Sequence, residues 1–436
     1  MMKQYDSYKD SGVEWIGKIP SHWEVGRLKF AGSFDNGLTY SPNDITDESG
    51  ILVLRSSNIQ QSKLDYNDCV YVREAPKELI VDVGDIIICS RNGSANLVGK
   101  CAYVDTQIKA TYGAFMMRFK PVIDKRFAFY LFKTTTDYYK GLFSTTTINQ
   151  LTQGIISQMY IPSVPYLEQQ AIASYLDKKC SEIDKAIATQ EKRVELLKEL
   201  RQNIITHAVT RGINHDAPLK DSGVEWIGEV PEHWEIKRIK HCAQIFGRIG
   251  FRGYTTQDLV LEGEGPITLS PSNMQGRMNY DSCTYLSWFK YNESPEIQIH
   301  NGDVLFVKTG STYGKSAYVE NLPMEATINP QIVVFKDFKD CNSKFFYYLL
   351  TTDIVQSQVD NTVIGSTIPT IGQEKIRNYV IPIPPLSEQQ EIVSYIESQT
   401  ARLDKSIEKA EHQIELLQEL KQSIITEVVT GKRKVV

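Results

Sequence analysis

The sequence lacks the features of a membrane, secreted or zinc-binding protein. It contains no apolar run of 18 residues, and its polar first residues do not provide the apolar core of a signal peptide. Its seven cysteines are scattered without a Cys-x-x-Cys pair, which favours reduced thiols over disulfides or a zinc site. We therefore expect a cytoplasmic protein that does not span a membrane.

Recognisable signatures of catalysis are also missing. There is no His-Glu-x-x-His motif and no Pro-Asp pair followed by Glu-x-Lys, the arrangement of many nucleases. Residues 310–316 look like a phosphate-binding loop, but three residues separate the two glycines where four are required, so a turn between strands is the better interpretation. Residues 329–332 fall near the Asn-Pro-Pro-aromatic motif of amino-methyltransferases but lack the second proline and the aromatic. We expect no catalytic residues, no metal and no cofactor in this chain.

An excess of positive charge is absent too. The formal net charge is −5, from 48 lysines and arginines against 53 acidic residues. This balance is no global sign of a nucleic-acid binder, so contact with a polyanion would depend on local basic patches. The candidates for such patches are Arg27, Lys29, Lys237, Arg238, Lys240, Arg248, Arg252, Lys432, Arg433 and Lys434.

What the chain does have is a long internal repeat. Residues 10–24 and 221–235 are identical at 12 of 15 positions, and residues 168–210 and 388–430 are identical at 21 of 43 positions. Repeats of this length are too long for solenoid units and indicate two half-molecules with near-twofold symmetry. A length of 436 residues leaves room for two to four domains.

The stretch between the repeated segments predicts a mixed α/β domain in each half. Short apolar runs separated by turn residues predict strands, and a short helix should follow each set. The predicted strands are residues 51–54, 85–89 and 114–119, then 267–269, 303–307 and 332–335, and the predicted short helices are residues 126–133 and 343–351. These stretches match each other less well than their flanks do, which indicates a shared fold with different surface loops.

Each half ends in a long predicted helix. Prolines precede Glu168 and Glu388, which then lie in the first turn, where negative charge is favourable. Apolar residues follow at alternating spacings of four and three, the pattern of a coiled-coil seam, with interruptions at Gln190, Arg201 and Lys421. Twofold symmetry predicts that the two helices pack antiparallel and that the end of the second approaches the first repeated segment, so that the ends of the chain meet.

Matching polar loops in the two halves are candidates for reading DNA bases. Arginine suits guanine, and asparagine or glutamine suits adenine, whereas Ser, Thr and Lys serve bases or phosphates. Loops that differ between two similar domains are what two different target sequences require, although polar, variable loops are also common without any such role. The candidate base-reading residues are Arg55, Asn58, Arg91, Asn92 and Ser94 in the first half and Ser272, Asn273, Lys308, Ser311 and Tyr313 in the second.

The chain resembles the specificity subunits of type I restriction–modification systems. The resemblance rests on the doubled Asp-Ser-Gly-Val-Glu-Trp-Ile-Gly-x-x-Pro-x-His-Trp segment, the doubled Pro-x-x-Glu-Gln-Gln helix starts and the similar helix ends, and it covers essentially all of the chain. It implies two target-recognition domains that each read one half of a split site in double-stranded DNA. It also implies long helices that separate these domains and dock two modification (methyltransferase) subunits.

The resemblance further implies a subunit without catalysis of its own. In that family S-adenosylmethionine serves adenine methylation by the modification subunits, and ATP with magnesium serves the restriction (endonuclease and translocase) subunits. We expect recognition domains at residues 1–165 and 211–385, a central helix at 166–210, and a helix with a basic tail at 386–436. Two alternatives remain: a coiled-coil interaction scaffold that reads no sequence, and a fused methyltransferase, which would bind the methyl donor by itself.

Overall fold

The computed structural model describes residues 4–143, 150–248, 250–275, 277–365 and 368–435. The chain folds as two compact units, one formed by residues 1–191 with 412–436 and the other by residues 192–411. Each unit therefore contains one α/β recognition domain together with part of each long helix. The mixed α/β fold predicted from the sequence is confirmed.

The helices include both long ones predicted from the repeat. In the described residues the α-helices are α1 (Lys125–Phe143), α2 (Gln153–Ser157), α3 (Tyr166–Arg211), α4 (Trp288–Asn292), α5 (Ser343–Leu350), α6 (Asp353–Asp360), α7 (Gln373–Arg377) and α8 (Leu386–Val429). The short helix predicted at residues 126–133 continues as a single helix of 19 residues. Its counterpart in the second half is interrupted between α5 and α6, where Thr352 donates its hydroxyl hydrogen to the carbonyl of Leu349 at 2.7 Å.

Each recognition domain is built on the same two sheets. In the first, the antiparallel sheet has the order Cys101–Tyr103, Ile86–Cys89, Met116–Pro121, Gly32–Asn36, and the mixed sheet has the order Ala110–Tyr112, Ile51–Leu54, Tyr71–Val72, Ile45–Thr46. In the second, the corresponding orders are Ser316–Tyr318, Val304–Val307, Ile332–Lys336, Gln244–Gly247 and Ala326–Ile328, Ile267–Leu269, Thr284–Leu286, Leu259–Val260. The six predicted strands are confirmed, except that residues 114 and 115 lie in a turn and that Asp85 and Asp303 precede their strands.

Paired short strands complete both domains in equivalent places. In the first half they are Tyr8–Asp10 with Lys18–Pro20, Glu24–Arg27 with Tyr160–Ser163, and Ile59–Gln60 with Lys63–Leu64. In the second half they are Leu219–Asp221 with Glu229–Pro231, Glu235–Arg238 with Val380–Ile383, and Met274–Gln275 with Arg277–Met278. The backbone repeat therefore extends through the stretches whose sequences match poorly.

The antiparallel sheet is buried on both faces, which explains its continuous apolar strands. Side chains alternate along a strand, so Ile86 and Ile88 pack in the core beneath α1, whereas Ile87 and Cys89 pack against the mixed sheet. The same alternation divides Val304–Val307 between two cores. The two-sided burial fixes the register of these strands and thereby the positions of the loops at their ends.

The two repeated motifs of each half bind each other. The carboxylate of Glu168, in the first turn of α3, accepts hydrogen bonds from Trp23 Nε1 at 3.0 Å and from the Tyr5 hydroxyl at 3.1 Å, and it pairs with His22 Nε2 at 2.6 Å. In the second unit Glu388 binds Trp234 Nε1 at 3.1 Å and His233 Nε2 at 2.7 Å. His22 and His233 therefore act as structural anchors between the two motifs.

The glutamine that follows each glutamate attaches the long helix to the recognition domain. Gln169 Oε1 accepts a hydrogen bond from the backbone N–H of Asp124, just before α1, at 2.9 Å. Gln389 Oε1 accepts one from the backbone N–H of Asn342, just before α5, at 2.6 Å. Both glutamines are buried, so the Glu-Gln-Gln repeat encodes the junction between helix and domain.

A second attachment uses a cation held between an acid and an aromatic ring. Arg126 of α1 pairs with Asp177 of α3 and lies 4.5 Å from the centre of the Tyr103 ring. In the other unit Lys344 pairs with Glu397 of α8 at 2.5 Å and lies over Tyr318. This duplicated cluster gives each domain a defined orientation on its own helices.

The two long helices pack together, and their pairing is antiparallel within each unit. In the first unit Lys421 pairs with Asp184 across the seam at 2.5 Å, and in the second Arg201 pairs with Asp404 at 2.8 Å. The basic residues that interrupt the predicted seam are therefore the cationic halves of interhelical ion pairs, repeated at an offset of 220 residues. The buried amide oxygen of Gln190 has no hydrogen-bond partner among the described residues.

The C-terminal end of α8 packs on the first repeated segment. Gly431 has a φ of +75°, and a methyl group added there would lie 2.4 Å from Pro20 Cδ and 2.8 Å from the Trp23 ring. The predicted approach of the chain ends is thus confirmed within the first unit. Gly212, after α3, has the same φ and lies against Trp234 of the second unit.

Candidate nucleic-acid interface

In the first recognition domain, three polar loops meet at one end of the two sheets. They follow Ile51–Leu54 and Ile86–Cys89 and connect Ala110–Tyr112 with Met116–Pro121. A cavity of about 990 Å³ lies between them, lined by Arg55, Arg91, Asn92 and Phe115 together with apolar residues of the segment 38–45. The structure therefore brings together three of the five candidate residues predicted in this half.

Arg55 is held by an acidic residue from a neighbouring loop. Its guanidinium pairs with the Asp68 carboxylate at 2.8 Å and donates a hydrogen bond to the Asp68 carbonyl at 3.0 Å. About a third of the side chain remains exposed, on the wall of the cavity. Because this pairing limits its rotamers, the guanidinium is held in a fixed direction, with Nη2 bound to Asp68.

Asn58 and Asn273 cannot reach a ligand in this structure. Asn58 is fully buried, and its side chain bonds the Arg55 N–H at 2.9 Å and the carbonyls of Asp65 and Asp68. Asn273 is equally enclosed and accepts from the Ser270 N–H at 2.8 Å. The prediction that these two residues read bases is corrected, because their amides are consumed in closing the turns that carry the neighbouring residues.

Arg91, Asn92 and Ser94 lie on the loop at the other side of the cavity. The guanidinium of Arg91 lies 5.7 Å from the centre of the Phe115 ring, in a cation–π arrangement at an exposed position. Asn92 donates to the Ser56 hydroxyl at 3.3 Å and accepts from the Ser94 N–H at 3.0 Å. Ser94 is exposed but does not line the cavity.

The second-half candidates occupy the corresponding loops. Ser272 lies 2.7 Å from Ser270, measured between the hydroxyl oxygens, and Ser311 is exposed in the turn that joins Val304–Val307 to Ser316–Tyr318. Tyr313 is half-buried against the core of its unit. Lys308 is half-buried as well, and burial lowers the pKa of its ammonium group below the ordinary value of a lysine. This turn confirms that residues 310–316 connect two strands.

Two exposed residues in these loops, Phe115 and Gln331, are not among the candidates predicted from the sequence. Phe115, placed in a predicted strand, lies in the turn after Ala110–Tyr112, with 62% of its surface exposed. Gln331 is exposed in the equivalent turn after Ala326–Ile328. The signal available in the sequence was the turn-forming pair Asn329–Pro330, which follows the strand Ala326–Ile328 and directly precedes Gln331.

One basic patch is also placed differently from the sequence expectation. Arg248 is almost fully buried, where it donates hydrogen bonds to Thr327 Oγ1 at 3.0 Å and to the carbonyl of Ile328 at 3.3 Å. Burial lowers the pKa of its guanidinium. Arg252 pairs with Glu296 at 3.3 Å. The positive charges of Arg248 and Arg252 are therefore engaged within the protein and are not available to bind a phosphate.

The described residues contain no group of three His, Cys, Asp or Glu side chains that could hold a metal ion. None of the helices in the same residues combines the length and apolar character needed to cross a lipid bilayer.

Comparisons with known proteins agree with the doubled architecture. A family model described as "Type I restriction modification DNA specificity domain" matches twice, at residues 20–197 and 231–416. The chain is 26% identical over 434 residues to the putative type I restriction enzyme MjaX specificity subunit of Methanocaldococcus jannaschii, covering 96% of each protein. It is 23% identical over 441 residues to the type I restriction enzyme EcoKI specificity subunit of Escherichia coli, covering 95% of this chain and 90% of that one.

The fold is also similar to that of a solved structure. A chain from a structure of a type I R-M system matches with a TM-score of 0.67 and 15% identity, covering 94% of this chain and 98% of the other. The two matches of the family model include most of the sequence, one in each half. The chain belongs to the type I restriction–modification DNA specificity family, with one copy of the specificity domain in each recognition domain.

Proposed function

We propose that this chain selects an asymmetric, two-part site in double-stranded DNA, and that each recognition domain reads one half of it. The observation that carries the proposal is the contrast between backbone and loops. The two domains share every sheet, in the same strand order and register. The residues at the loop ends of those sheets differ: the positions of Arg55 and Arg91 in the first domain are occupied by Ser270 and Thr309 in the second. Two domains with the same sheets but different loops suit a DNA target whose two halves differ in sequence.

The proposed reading surface excludes the two buried asparagines. It keeps exposed or partly exposed residues, each on a loop fixed by the sheets beneath it. These residues are Arg55, Arg91, Asn92, Ser94, Ser272, Lys308, Ser311 and Tyr313. Good bidentate contacts to a base contribute about 1–3 kcal/mol of discrimination each. Arg55 is the strongest candidate for guanine, because Asp68 already fixes its guanidinium.

The long helices have a separate proposed role as the docking surface for two modification subunits. Leu196 and Leu200 of α3 are about half exposed, although both are large and apolar. Leu416 and Leu420 occupy the equivalent positions of α8 and are exposed to the same extent. A pair of leucines one turn apart, present once on each helix, fits two copies of one partner.

The chemistry of the complex is assigned to those partners. We propose that this chain carries no cofactor, that S-adenosylmethionine serves the modification subunits in methylating adenine, and that ATP and magnesium serve restriction subunits. The contribution of this chain is the choice of sequence and of spacing. α3 has 46 residues and α8 has 44, so each helix is roughly 65–70 Å long.

The decisive experiment exchanges one recognition domain. Residues 1–165 are replaced by the first domain of another member of the family, and the complex with its modification subunit is expressed in a host whose genome is mapped for methylated adenine. We expect one half of the recognised site to change while the other half and the gap stay the same. A change in both halves contradicts the assignment of one half-site to each domain.

A docking experiment tests the proposed role of the helices. Substituting both Leu196 and Leu200 by lysine should remove one of two modification subunits from the purified complex, as measured by its mass in solution. Leu261→Lys is the matched control, because Leu261 is 75% exposed in a loop of the second recognition domain. Retention of two modification subunits by the double variant would exclude this surface.

The exposed leucines also favour a second candidate, a scaffold that assembles subunits without reading sequence. The two functions differ in their response to salt. A scaffold should bind all DNA sequences alike and lose them together as salt rises, whereas a reader loses non-specific DNA and retains its site. Titrating the complex with the mapped site and with a scrambled duplex at several salt concentrations separates the two.

A further inference from the structure

The two exposed residues missed by sequence analysis occupy one equivalent position in the fold. In both domains a parallel pair of strands runs into a tight turn that leads to the antiparallel sheet. The first turn is closed by a hydrogen bond from the Met116 N–H to the Gly113 carbonyl at 2.8 Å, the second by one from the Ile332 N–H to the Asn329 carbonyl at 3.2 Å. Phe115 and Gln331 are the third residue of their respective turns.

The backbone at this position is fixed by the neighbouring candidate loop. The Phe115 carbonyl accepts hydrogen bonds from the N–H groups of Ser90 and Arg91 at 3.0 and 3.1 Å. The Gln331 carbonyl accepts one from the Lys308 N–H at 2.8 Å. Each side chain therefore projects from an ordered backbone beside the loop already proposed to contact DNA, which is the pre-organisation that base recognition needs.

The stability of the fold does not explain why Phe115 and Gln331 are exposed. A phenylalanine that is 62% exposed forgoes most of the stabilisation that burial of its ring would provide. The ring instead lines the cavity, with the Arg91 guanidinium over its face. Gln331 is also exposed, and its Oε1 accepts a hydrogen bond from Asn329 Nδ2 at 3.0 Å, which orients the amide.

We propose that Phe115 and Gln331 are the pair of residues that makes the two half-sites different. Phe115 contacts the 5-methyl group of a thymine in the major groove of the first half-site. Gln331 forms two hydrogen bonds with an adenine in the second, accepting from N6 and donating to N7. These are the base features that an apolar ring and a side-chain amide recognise in the major groove. The inference rests on the proposed function, since it assumes that the loops read DNA.

Base analogues that remove one recognised feature at a time test the inference. The complex with the modification subunit is titrated with the mapped site in which single thymines are replaced by deoxyuridine, which lacks the methyl group, or single adenines by 7-deazaadenine, which lacks N7. For the unaltered protein we expect one deoxyuridine position in the first half-site and one 7-deazaadenine position in the second to weaken binding.

The variants then assign those positions. Phe115→Ala should abolish the response to the deoxyuridine position only, and Phe115→Leu, which keeps an apolar side chain, should retain it. Gln331→Ala should weaken binding about 5- to 150-fold, the range of one bidentate contact, and abolish the response to 7-deazaadenine only. Each variant is thus the control for the other half-site. Val122→Ala, exposed at the opposite end of the Met116–Pro121 strand, controls for general effects and should change neither profile.

The outcomes separate this inference from the proposed function. If the variants bind the mapped site in preference to a scrambled duplex but keep the analogue profile of the unaltered protein, the roles of Phe115 and Gln331 are refuted and the reading function stands. If the unaltered complex shows no preference for the mapped site, the proposed function itself is refuted. Because both side chains are exposed, thermal unfolding of the variants should match that of the unaltered complex. A variant that unfolds earlier would assign its residue a structural role and overturn the inference for that residue.

Discussion

The contacts of Glu168 predict how strongly one carboxylate stabilises the first unit. Glu168→Ala would leave the fully buried Trp23 indole N–H and the buried Tyr5 hydroxyl without an acceptor. Tyr5 remains a neutral donor, because burial and the nearby carboxylate both raise the pKa of its phenol. Each orphaned donor costs about 1–3 kcal/mol, and loss of negative charge from the first helical turn costs a further 0.3–1 kcal/mol or so. We expect a loss of about 3–5 kcal/mol.

The second unit provides an internal comparison for this prediction. Glu388 has Trp234 as its buried donor, and its histidine partner is half exposed, so Glu388→Ala should cost about 2 kcal/mol. Two units need not unfold together, so the measurement is native-state hydrogen exchange on the full chain, which gives an opening free energy for each unit. Glu195→Ala, which breaks an exposed pair with Lys192, should leave the opening free energy of its unit nearly unchanged. Equal effects of all three substitutions would refute the reasoning.

Three further outcomes are expected. Gly431→Ala should cost the first unit about 1–3 kcal/mol more than Gly12→Ala in native-state hydrogen exchange, because both have a positive φ but only Gly431 is crowded by its surroundings. Equal losses would contradict the observed packing. Lys421→Asp should destabilise the helix pair by about 1 kcal/mol, and adding Asp184→Lys should restore it, whereas a double variant no more stable than the single one would deny their coupling. Inserting four helical residues after Leu200 lengthens α3 by about 6 Å. The gap in the methylated site should change by about one or two base pairs, while both half-sites stay the same. An unchanged gap would exclude a spacer role for the helix.

The strands and the long helices of this protein could be predicted because their sequences are repeated and have a regular apolar pattern. A strand such as Val304–Val307 is apolar throughout because it is buried on two faces, and this pattern is visible in the sequence. The coiled-coil seam was equally readable from its spacing. What the spacing could not reveal was why Arg201 and Lys421 interrupt it, since their partners Asp404 and Asp184 lie far away in the sequence and on the other helix.

The candidate site was less readable because exposure depends on tertiary contacts. Asn58 belongs to a polar loop and was therefore a plausible reader of adenine, yet its amide closes the turn from within. Phe115 belongs to an apolar run and was therefore placed in the predicted strand 114–119, yet the chain turns just before Met116 and leaves the ring exposed. Composition ranks residue types for base recognition, whereas only the folded loops reveal which side chains point outward.

The two equivalent glycines have a consequence for how the covalent chain could be rearranged. Gly431 lies against Pro20 and Trp23, and Gly212 lies near Pro231 and Trp234. The end of each long helix therefore contacts a repeated segment. At Gly212 the chain continues covalently into that segment, whereas at Gly431 the contact is non-covalent. A permuted gene that opens the polypeptide in residues 213–218 and joins residue 436 to residue 1 would therefore keep both junctions. Such a protein should fold with its first and second domains in exchanged order, because neither glycine junction depends on which half comes first in the chain.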